Sequence, residues 1–264
     1  MTVQLLISTM YQKDRSLLEK MNVSSDAVVI NQCDIESKET IEYNGHKVLW
    51  IDTTERGLSK SRNMAVANAT ADICLIADDD MIYRSDYVDT VINSFSKINA
   101  DLIGFQVIGI ERKFKNYSEK AQRIGYLKSM RMASVEIAFK RERFIEKNVV
   151  FDELIGSGTE FMMGEENVML FDCLKKHLKV FYVPKEIADL HVGQSSWFSG
   201  MNEKFFWGKG AAFTAMKTPF TTFLMWQWAI RKKRLYKENF SFFTVIKLMQ
   251  QGKKAYLKKA KGKK

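Results

Sequence analysis

Short apolar runs alternate with more polar segments along the first part of the chain. The runs have strand length and are apolar at consecutive positions, as is typical of strands buried on both faces of a sheet. They are Val3–Ser8, Ala27–Ile30, Val48–Ile51 and Ile73–Ala77. The segments between them have helical spacing, most clearly Asp14–Met21 and Ser59–Ala69. This alternation predicts an α/β fold with a mostly parallel sheet flanked by helices.

Beyond residue 80 the pattern predicts further strands and helices. The predicted helices are Tyr87–Ile98 and Glu166–Lys176. The predicted strands are Leu102–Ile110, Met132–Lys140 and Val180–Val183, the last of which ends at Pro184. Residues 151–164 contain three glycines and predict a loop. Because ligands of such folds bind at the carboxyl ends of the parallel strands, the chemistry is expected there.

Charge is divided unevenly along the 264 residues. The net charge is +10, but residues 230–264 hold 13 Lys/Arg and one acid, so the remainder is close to neutral. A nucleic-acid-binding domain would carry its positive patch on the folded body, so we expect no nucleic acid partner. Cys33, Cys74 and Cys173 are too far apart for a zinc motif or a disulfide framework, which favours a cytoplasmic protein. Met1–Asp14 does not resemble a signal peptide, and no apolar run has the length of a membrane span.

Three consecutive carboxylates, Asp78, Asp79 and Asp80, follow the apolar run Ile73–Ala77. At the carboxyl end of a strand, such oxygen ligands suit a divalent cation that bridges to phosphate. The alternative is an acidic turn that caps the next helix near Ser85. Three neighbouring acids repel one another, and a cap would not need all of them.

A second motif, residues 56–63, has a glycine turn that opens a helix containing Lys60 and Arg62. Helix amino termini favour anions, and the two cations would add charge-assisted hydrogen bonds to a phosphate. The alternative is a solvated helix start with ordinary surface cations. The aspartates at a neighbouring strand end favour the phosphate interpretation.

Three motifs in order carry a resemblance to a known family. They are Gly-Leu-Ser-Lys-Ser-Arg-Asn at 57–63, the aspartates at 78–80, and Gly-Glu-Glu-Asn at 164–167, which opens a helix. The sequence resembles glycosyltransferase family 2, the inverting enzymes of GT-A fold, and in particular bacterial capsular and exopolysaccharide transferases. The resemblance implies a divalent metal, Mn²⁺ or Mg²⁺, held by Asp80 and Asp78 against the diphosphate of a nucleotide sugar.

The resemblance also implies a general base at the start of the later helix. Residue-by-residue transfer assigns this role to Glu166, but the family has Asp at that position, so Glu165 stays an alternative. Either acid could instead complement the helix dipole. His191 follows a short strand at a place where related enzymes have a metal ligand; the alternative is a structural hydrogen-bond donor.

The remaining site residues implied by the resemblance lie at strand ends. The donor nucleotide sugar is expected to contact Lys60, Arg62, Asp78 and Asp79, together with Thr9, Tyr11, Asn31, Gln32 and Asp34. Asn31 and Gln32 stand where the family usually has aspartates. Trp197 and Trp207 are candidates for stacking on an acceptor sugar, or else line the core.

We therefore expect a catalytic domain at 1–215 and a basic helical extension at 216–264. The aromatic-rich stretch at 219–230 precedes Arg231–Arg234, a pairing suited to an interfacial helix on an anionic membrane. The alternative is that the aromatics pack on the catalytic domain and the lysines form a disordered tail.

The predicted function is metal-dependent, inverting transfer from a UDP-sugar to a lipid-linked saccharide acceptor, at the inner face of the cell membrane, in surface polysaccharide synthesis. Two alternatives remain: a sugar-nucleotide or phosphate-ester enzyme that uses the aspartates, and a non-catalytic membrane or nucleic-acid binding module.

Overall fold

A computed structural model describes residues 1–192 and 200–262. These residues form two compact units. The first, which we call the sheet unit, comprises residues 1–56, 60–150 and 173–192. The second, which we call the helical unit, comprises residues 57–59, 151–172 and 200–262. The boundary predicted between residues 215 and 216 stays a prediction.

Within the described residues, ten strands form one sheet in the sheet unit. The strands are β1 (Val3–Met10), β2 (Asp26–Gln32), β3 (Ser37–Tyr43), β4 (His46–Thr53), β5 (Ile73–Asp78), β6 (Met81–Tyr83), β7 (Leu102–Gly109), β8 (Gln122–Arg123), β9 (Ile137–Lys140) and β10 (Val180–Leu190). Their order is β3-β4-β2-β1-β5-β9-β7-β10-β6, and β8 pairs with β10. The central strands β4, β2, β1 and β5 are parallel neighbours, which confirms the predicted α/β class.

Nine α-helices are found among the described residues. They are α1 (Leu17–Lys20), α2 (Leu58–Asn68), α3 (Tyr87–Lys97), α4 (Tyr126–Ser129), α5 (Arg141–Glu146), α6 (Glu165–Lys175), α7 (Glu203–Ala215), α8 (Thr221–Tyr236) and α9 (Phe242–Gly262). The ends of α2, α3 and α6 lie within one residue of prediction. Throughout the part of the chain that is described, every helix is too short or too polar to span a bilayer.

Two predicted strands were wrong in extent. The strand predicted to end at Pro184 continues to Leu190, because the register of β10 against β7 shifts between Tyr182 and Glu186. A bulge of this kind accommodates a proline that cannot donate to the ladder. The strand predicted from Met132 begins only at Ile137, since residues 134–136 form a short 3₁₀ helix.

Two other differences occur in polar segments. The helix predicted over Asp14–Met21 is a single turn, because the Asp14 carboxylate accepts a hydrogen bond from the Ser16 amide at 2.9 Å and forms a turn. The strand β3 was not predicted. It is a largely exposed edge strand, so it lacks the apolar run by which the buried strands were found.

The register of the central strands brings their carboxyl ends to one edge of the sheet. Thr9 on β1 lies beside Asn31 on β2, which in turn lies beside Asp52 on β4. On the other side of β1, Ser8 lies beside Asp78 at the end of β5. Polar side chains that are far apart in sequence therefore line one edge.

In the helical unit, α7 and α9 approach so closely that two glycines are required. A Cβ at Gly252 would lie 1.8 Å from the Trp207 carbonyl oxygen, and one at Gly210 would lie 2.0 Å from the Met249 carbonyl oxygen. Only residues without a side chain fit there. The Tyr256 hydroxyl of α9 also donates to Asp152 at 2.6 Å, so α9 packs as an integral part of this unit.

Candidate active site

Arg62 of α2 and Asp78 at the end of β5 form an ion pair in the sheet unit. Nη2 of Arg62 lies 3.0 Å from Asp78 Oδ1 and donates to the Ser134 hydroxyl at 2.8 Å. The Arg62 side chain is 2% exposed, whereas that of Asp78 is 30% exposed. Sequence analysis placed both residues at the donor site, and the structure brings them together.

Asp79 and Thr9 are also brought together. The Thr9 hydroxyl donates to Asp79 Oδ2 at 2.5 Å and accepts from the Gln12 side-chain amide at 2.9 Å. These contacts join the end of β1 to the aspartates after β5. Gln12 was not among the predicted residues, because it lies beyond the strand-end residues that the motifs marked.

Asp80 differs from its two neighbours in its electrostatic surroundings. Partial desolvation of its carboxyl group, together with the charges of Asp78 and Asp79, raises the pKa of Asp80 to about 6. A nearby cation would relieve this accumulation of negative charge.

The described residues contain no group of three His, Cys, Asp or Glu side chains arranged to hold a metal ion. A Mg²⁺-type ion does not require such a cage, because one or two carboxylates and substrate phosphate oxygens suffice. The crowded carboxyl of Asp80 fits that smaller requirement.

His191 lies next to Asp80. Its backbone amide donates to the Asp80 carbonyl at 3.0 Å, and its ring Nδ1 is 2.7 Å from Glu111 Oε1. A carboxylate on one ring nitrogen fixes the ring and leaves the other nitrogen for a ligand, an arrangement common at metal-binding histidines. Glu111 was missed by sequence analysis because it belongs to a loop 80 residues away in sequence.

Asn31 is buried, and its side chain forms hydrogen bonds with Gln12 and Asp52. Its side-chain amide accepts from the Gln12 backbone amide at 2.9 Å and donates to Asp52 Oδ1 at 2.7 Å. Asp52 also accepts from Ser37 and Trp50. Burial raises the pKa of Asp52, but hydrogen bonds from these three side chains outweigh it and lower that pKa. Asn31 therefore shapes the turn after β1, and its neighbour Gln32 is buried as well.

The predicted residues Tyr11 and Asp34 meet at an unpredicted cation. Arg56 donates to Asp34 Oδ1 at 2.7 Å, and its guanidinium carbon lies 5.5 Å from the centroid of the exposed Tyr11 ring. An exposed aromatic ring beside a cation suits a nucleotide base. Lys60, in contrast, pairs with Glu55 at the surface.

In the helical unit, the amino end of α2 contacts the glycine loop. Ser59 donates its hydroxyl proton to the Ile155 carbonyl at 2.6 Å, and the Leu58 amide donates to the Ser157 carbonyl at 2.9 Å. Gly156 has a φ of +115°, which favours glycine. The predicted loop at 151–164 is thus held in a defined conformation.

The two candidate bases at the start of α6 have different surroundings. The Glu165 side chain is buried and lies close to Gly156, where an added Cβ would be 3.2 Å from Glu165 Cβ. Glu166 is only partly buried, and its Oε1 accepts from the Asn167 side-chain amide at 2.9 Å. Of the two carboxylates, Glu166 is the more accessible.

Lys209 of α7 is a residue that sequence analysis missed. Its ammonium group lies 5.5 Å from the Phe213 ring centroid and 5.9 Å from that of Trp228. Burial lowers the pKa of Lys209, while the charge of Glu166 raises it. The lysine is separated from the Gly164–Asn167 motif by more than 40 residues, so no local pattern identified it.

Of the two candidate acceptor tryptophans, Trp207 has its ring stacked on Phe161, with centroids 4.6 Å apart. Trp197 lies outside the described residues. Stacking of either ring on a sugar stays a prediction.

Comparison with known proteins gives one family and one fold. The family model described as glycosyl transferase family 2 matches residues 16–163, more than half of the chain. No curated protein sequence matches significantly.

Among solved structures, the chain is similar to crystal structures of residues 1–349 of TarS from S. aureus. The first of these structures has a TM-score of 0.62 and a sequence identity of 12%. The structure in complex with UDP-GlcNAc has a TM-score of 0.64 and an identity of 13%. The structure in complex with UDP has a TM-score of 0.62 and an identity of 13%. Each match covers 90% of this chain and 74% of the other. At such low identity the likeness concerns the fold, and it confirms the predicted GT-A architecture.

Proposed function

This chain belongs to glycosyl transferase family 2 and is a glycosyltransferase, and we propose that it transfers a sugar from a UDP-sugar to a saccharide hydroxyl with inversion. The observation that carries the donor assignment is the strand-end cluster in which Asp78 pairs with Arg62, Asp79 pairs with Thr9 and Asp80 carries a raised pKa. The UDP-GlcNAc and UDP in similar TarS structures support a uridine nucleotide.

In the proposed reaction, Glu166 takes the proton of the acceptor hydroxyl while that oxygen attacks the anomeric carbon. The attack comes from the face opposite the diphosphate. The new C–O bond forms as the bond to the diphosphate breaks, so UDP leaves with the bonding electron pair and the configuration inverts. The Asn167 amide on Glu166 holds the carboxylate in one orientation.

We propose that a divalent cation, Mn²⁺ or Mg²⁺, is held by Asp80, with His191 and Asp78 as further ligands. When bound, it would supply positive charge that stabilises the departing diphosphate. The Glu111 carboxylate on the His191 ring supports a ligand role for that ring. Arg62, already paired with Asp78, contributes positive charge at the same strand end.

The test is release of UDP from a panel of UDP-sugars that includes UDP-GlcNAc, with and without Mn²⁺. We expect release with at least one donor, loss of release in Asp80→Asn, and full release in Asp86→Asn. Asp86 is an exposed acid six residues away whose side chain caps nothing, so it controls for lost charge. Donor turnover by Asp80→Asn at the wild-type rate would refute the assignment.

The second part of the proposal is that α8 docks the enzyme on an anionic membrane that carries a lipid-linked acceptor. Four exposed apolar side chains recur along the helix at intervals of three or four residues, and we call them the apolar stripe. They are Phe220, Phe223, Trp226 and Ile230, with exposures of 66%, 65%, 42% and 61%. Leu224 and Met225, in contrast, are buried.

The cations that follow the apolar stripe favour anionic lipid as the partner of this helix. Arg231, Lys232, Lys233 and Arg234 are all exposed at the end of the same helix. An apolar face next to a cationic segment suits the headgroup region of an anionic bilayer. Membrane docking at the cytoplasmic face would bring the enzyme to lipid-linked saccharides, which supports a role in surface polysaccharide synthesis.

Vesicle sedimentation tests the membrane proposal separately from catalysis. Binding should require anionic lipid and weaken as salt rises. The double variant Phe220→Ser, Phe223→Ser should lose binding, whereas Leu127→Ser, which removes a 70% exposed side chain from the sheet unit, should keep it. Equal binding of both variants, or equal binding to neutral vesicles, would refute the docking role of the stripe.

A further inference from the structure

The sheet unit contains a cavity of about 120 Å³ that the proposed chemistry does not use. Its lining residues come from the loop after β7, from residues 122–132, which include β8 and α4, from the 3₁₀ helix at 134–136, and from β10. They are Lys115, Asn116, Tyr117, Ser118, Gln122, Ile124, Lys128, Arg131, Met132, Glu136 and Tyr182.

The lining of the cavity shares no residue with the aspartates at the end of β5. The two places are neighbours on the sheet unit. Ser134, in the same 3₁₀ helix as the lining residue Glu136, accepts a hydrogen bond from Arg62 at 2.8 Å, and Arg62 pairs with Asp78.

One of the lining residues is a buried carboxylate. Glu136 is 2% exposed, accepts from the Tyr117 hydroxyl at 2.6 Å and from the Ala133 amide at 3.1 Å, and pairs with Lys115. Burial raises the pKa of Glu136, and the charge of Lys115 opposes that rise. An ionised group in this position is costly unless it is paired and hydrogen-bonded, as it is here.

Two tyrosine rings form a preorganised wall. Tyr117 and Tyr182 stack with centroids 6.3 Å apart and an interplanar angle of 6°. The Tyr117 hydroxyl accepts a hydrogen bond from the Val107 backbone amide at 3.0 Å, and the Tyr182 hydroxyl donates to the Ser118 carbonyl at 2.7 Å. Flat rings with fixed hydroxyl groups offer both an apolar face and polar edges.

The charge of the lining is positive. Lys115, Lys128 and Arg131 contribute three cations against the single acid Glu136. The buried side chains of Ile124 and Met132 add apolar surface to the lining. This combination suits a ligand that joins a negative charge to a compact ring with both apolar faces and hydroxyl groups.

We propose that this cavity is a second ligand site, which binds a hexose phosphate. Lys128 and Arg131 at its rim contact the phosphate, and the tyrosine wall and Met132 contact the sugar ring. The volume of the cavity suits one phosphate with part of a sugar ring. The same lining would recognise either a free hexose phosphate or a phosphorylated sugar within an acceptor chain. The inference does not depend on the donor chemistry proposed for Asp80.

Methionine-methyl NMR tests this directly on the full chain, without any transfer assay. With ¹³C-methyl methionine labelling, Met132→Leu identifies the Met132 signal. Titration with glucose 1-phosphate should shift that signal with saturation, inorganic phosphate should bind at least tenfold more weakly, and glucose should not saturate.

The variant pair Lys128→Gln, Arg131→Gln should weaken glucose 1-phosphate binding at least tenfold. Arg123→Gln, which removes an exposed cation next to Gln122 on β8, should leave it unchanged. An unmoved Met132 signal at millimolar glucose 1-phosphate, or equal binding by both variants, would overturn the proposal. If glucose 1-phosphate binds, competition by a phosphorylated saccharide distinguishes the two sources of the ligand. A competitor that also serves as a transfer acceptor would identify the ligand as part of an acceptor chain. A competitor that is not an acceptor would identify it as a free sugar phosphate.

Discussion

The guanidinium of Arg62 and the carboxylate of Asp78 lie 3.0 Å apart, and this contact joins the two motifs from which the donor site was predicted. Each motif by itself predicts a partner for phosphate. Their contact means that Arg62 balances the charge of the aspartates before any ligand binds, and that a change at either residue affects both.

Replacing Arg62 with Met should destabilise the protein and weaken donor binding. Loss of the buried cation leaves Asp78 and the Ser134 hydroxyl without their donor, and breaking such a pair costs about 3 kcal/mol. Urea unfolding measures the stability. Lys60→Met, which breaks the exposed pair with Glu55, should change stability by less than about 1 kcal/mol. Similar losses in both variants would contradict the structural role of Arg62.

Asp52→Asn should destabilise the protein in a pH-dependent way. Hydrogen bonds from Ser37, Asn31 and Trp50 lower the pKa of Asp52, so its contribution to stability is present above the unfolded-state pKa of about 4 and is lost as pH falls through the lower folded value. The free energy of unfolding should therefore differ by about 1–3 kcal/mol between wild type and variant at pH 7. Urea unfolding at pH 7 and at pH 3 should show that this difference shrinks in acid; a constant difference would contradict the assignment.

Glu166→Gln should lower the transfer rate by about 10²–10⁴, because the acceptor hydroxyl then loses its general base. Donor affinity should stay near the wild-type value. The matched variant Glu165→Gln changes a buried side chain beside Gly156 and should affect stability more than the chemical step. Single-turnover rates and donor titration separate these effects. A fast Glu166→Gln enzyme with an inactive Glu165→Gln enzyme would reverse the assignment.

Lys209→Met should move the acidic limb of the pH profile of kcat to higher pH. The lysine interacts electrostatically with Glu166, and removal of a positive charge makes a nearby carboxyl harder to ionise. Lys204→Met, which removes an exposed cation of the same helix, provides the control and should leave the profile in place. If the two profiles coincide, Lys209 does not act on the base.

Gly252→Ala should destabilise the helical unit strongly, because its Cβ would lie 1.8 Å from the Trp207 carbonyl oxygen. The helices α7 and α9 would have to separate, at a cost of about 2 kcal/mol or more. Gly262→Ala meets no atom within 4 Å and should be neutral or slightly stabilising. Thermal unfolding of the two variants provides the comparison, and equal melting temperatures would argue against the close packing.

The sequence by itself determined the central strands, the helices α2, α3 and α6, and the family motifs. These depend on local information, since strands buried on both faces must be apolar at consecutive positions and an amphipathic helix repeats every 3.6 residues. The family-model match over residues 16–163 confirms the family resemblance, and it includes the Gly-Leu-Ser-Lys-Ser-Arg-Asn and triple-aspartate motifs. The Gly-Glu-Glu-Asn motif lies directly after the matched residues. The edge strand β3 was not predicted because it is largely exposed and lacks an apolar run. The continuation of β10 was not predicted because the strand was ended at Pro184, where the structure has a register shift instead.

Only the tertiary structure decided which side chains pair. Arg62 with Asp78, Glu111 with His191 and Lys209 with Glu166 are contacts or interactions between residues separated by 16 to 80 positions in sequence. Similarly, the cavity that Glu136 helps to line is assembled from several elements. A sequence pattern specifies which face of an element is buried, but the partners of a charged side chain depend on strand order, register and helix packing, which no local pattern encodes.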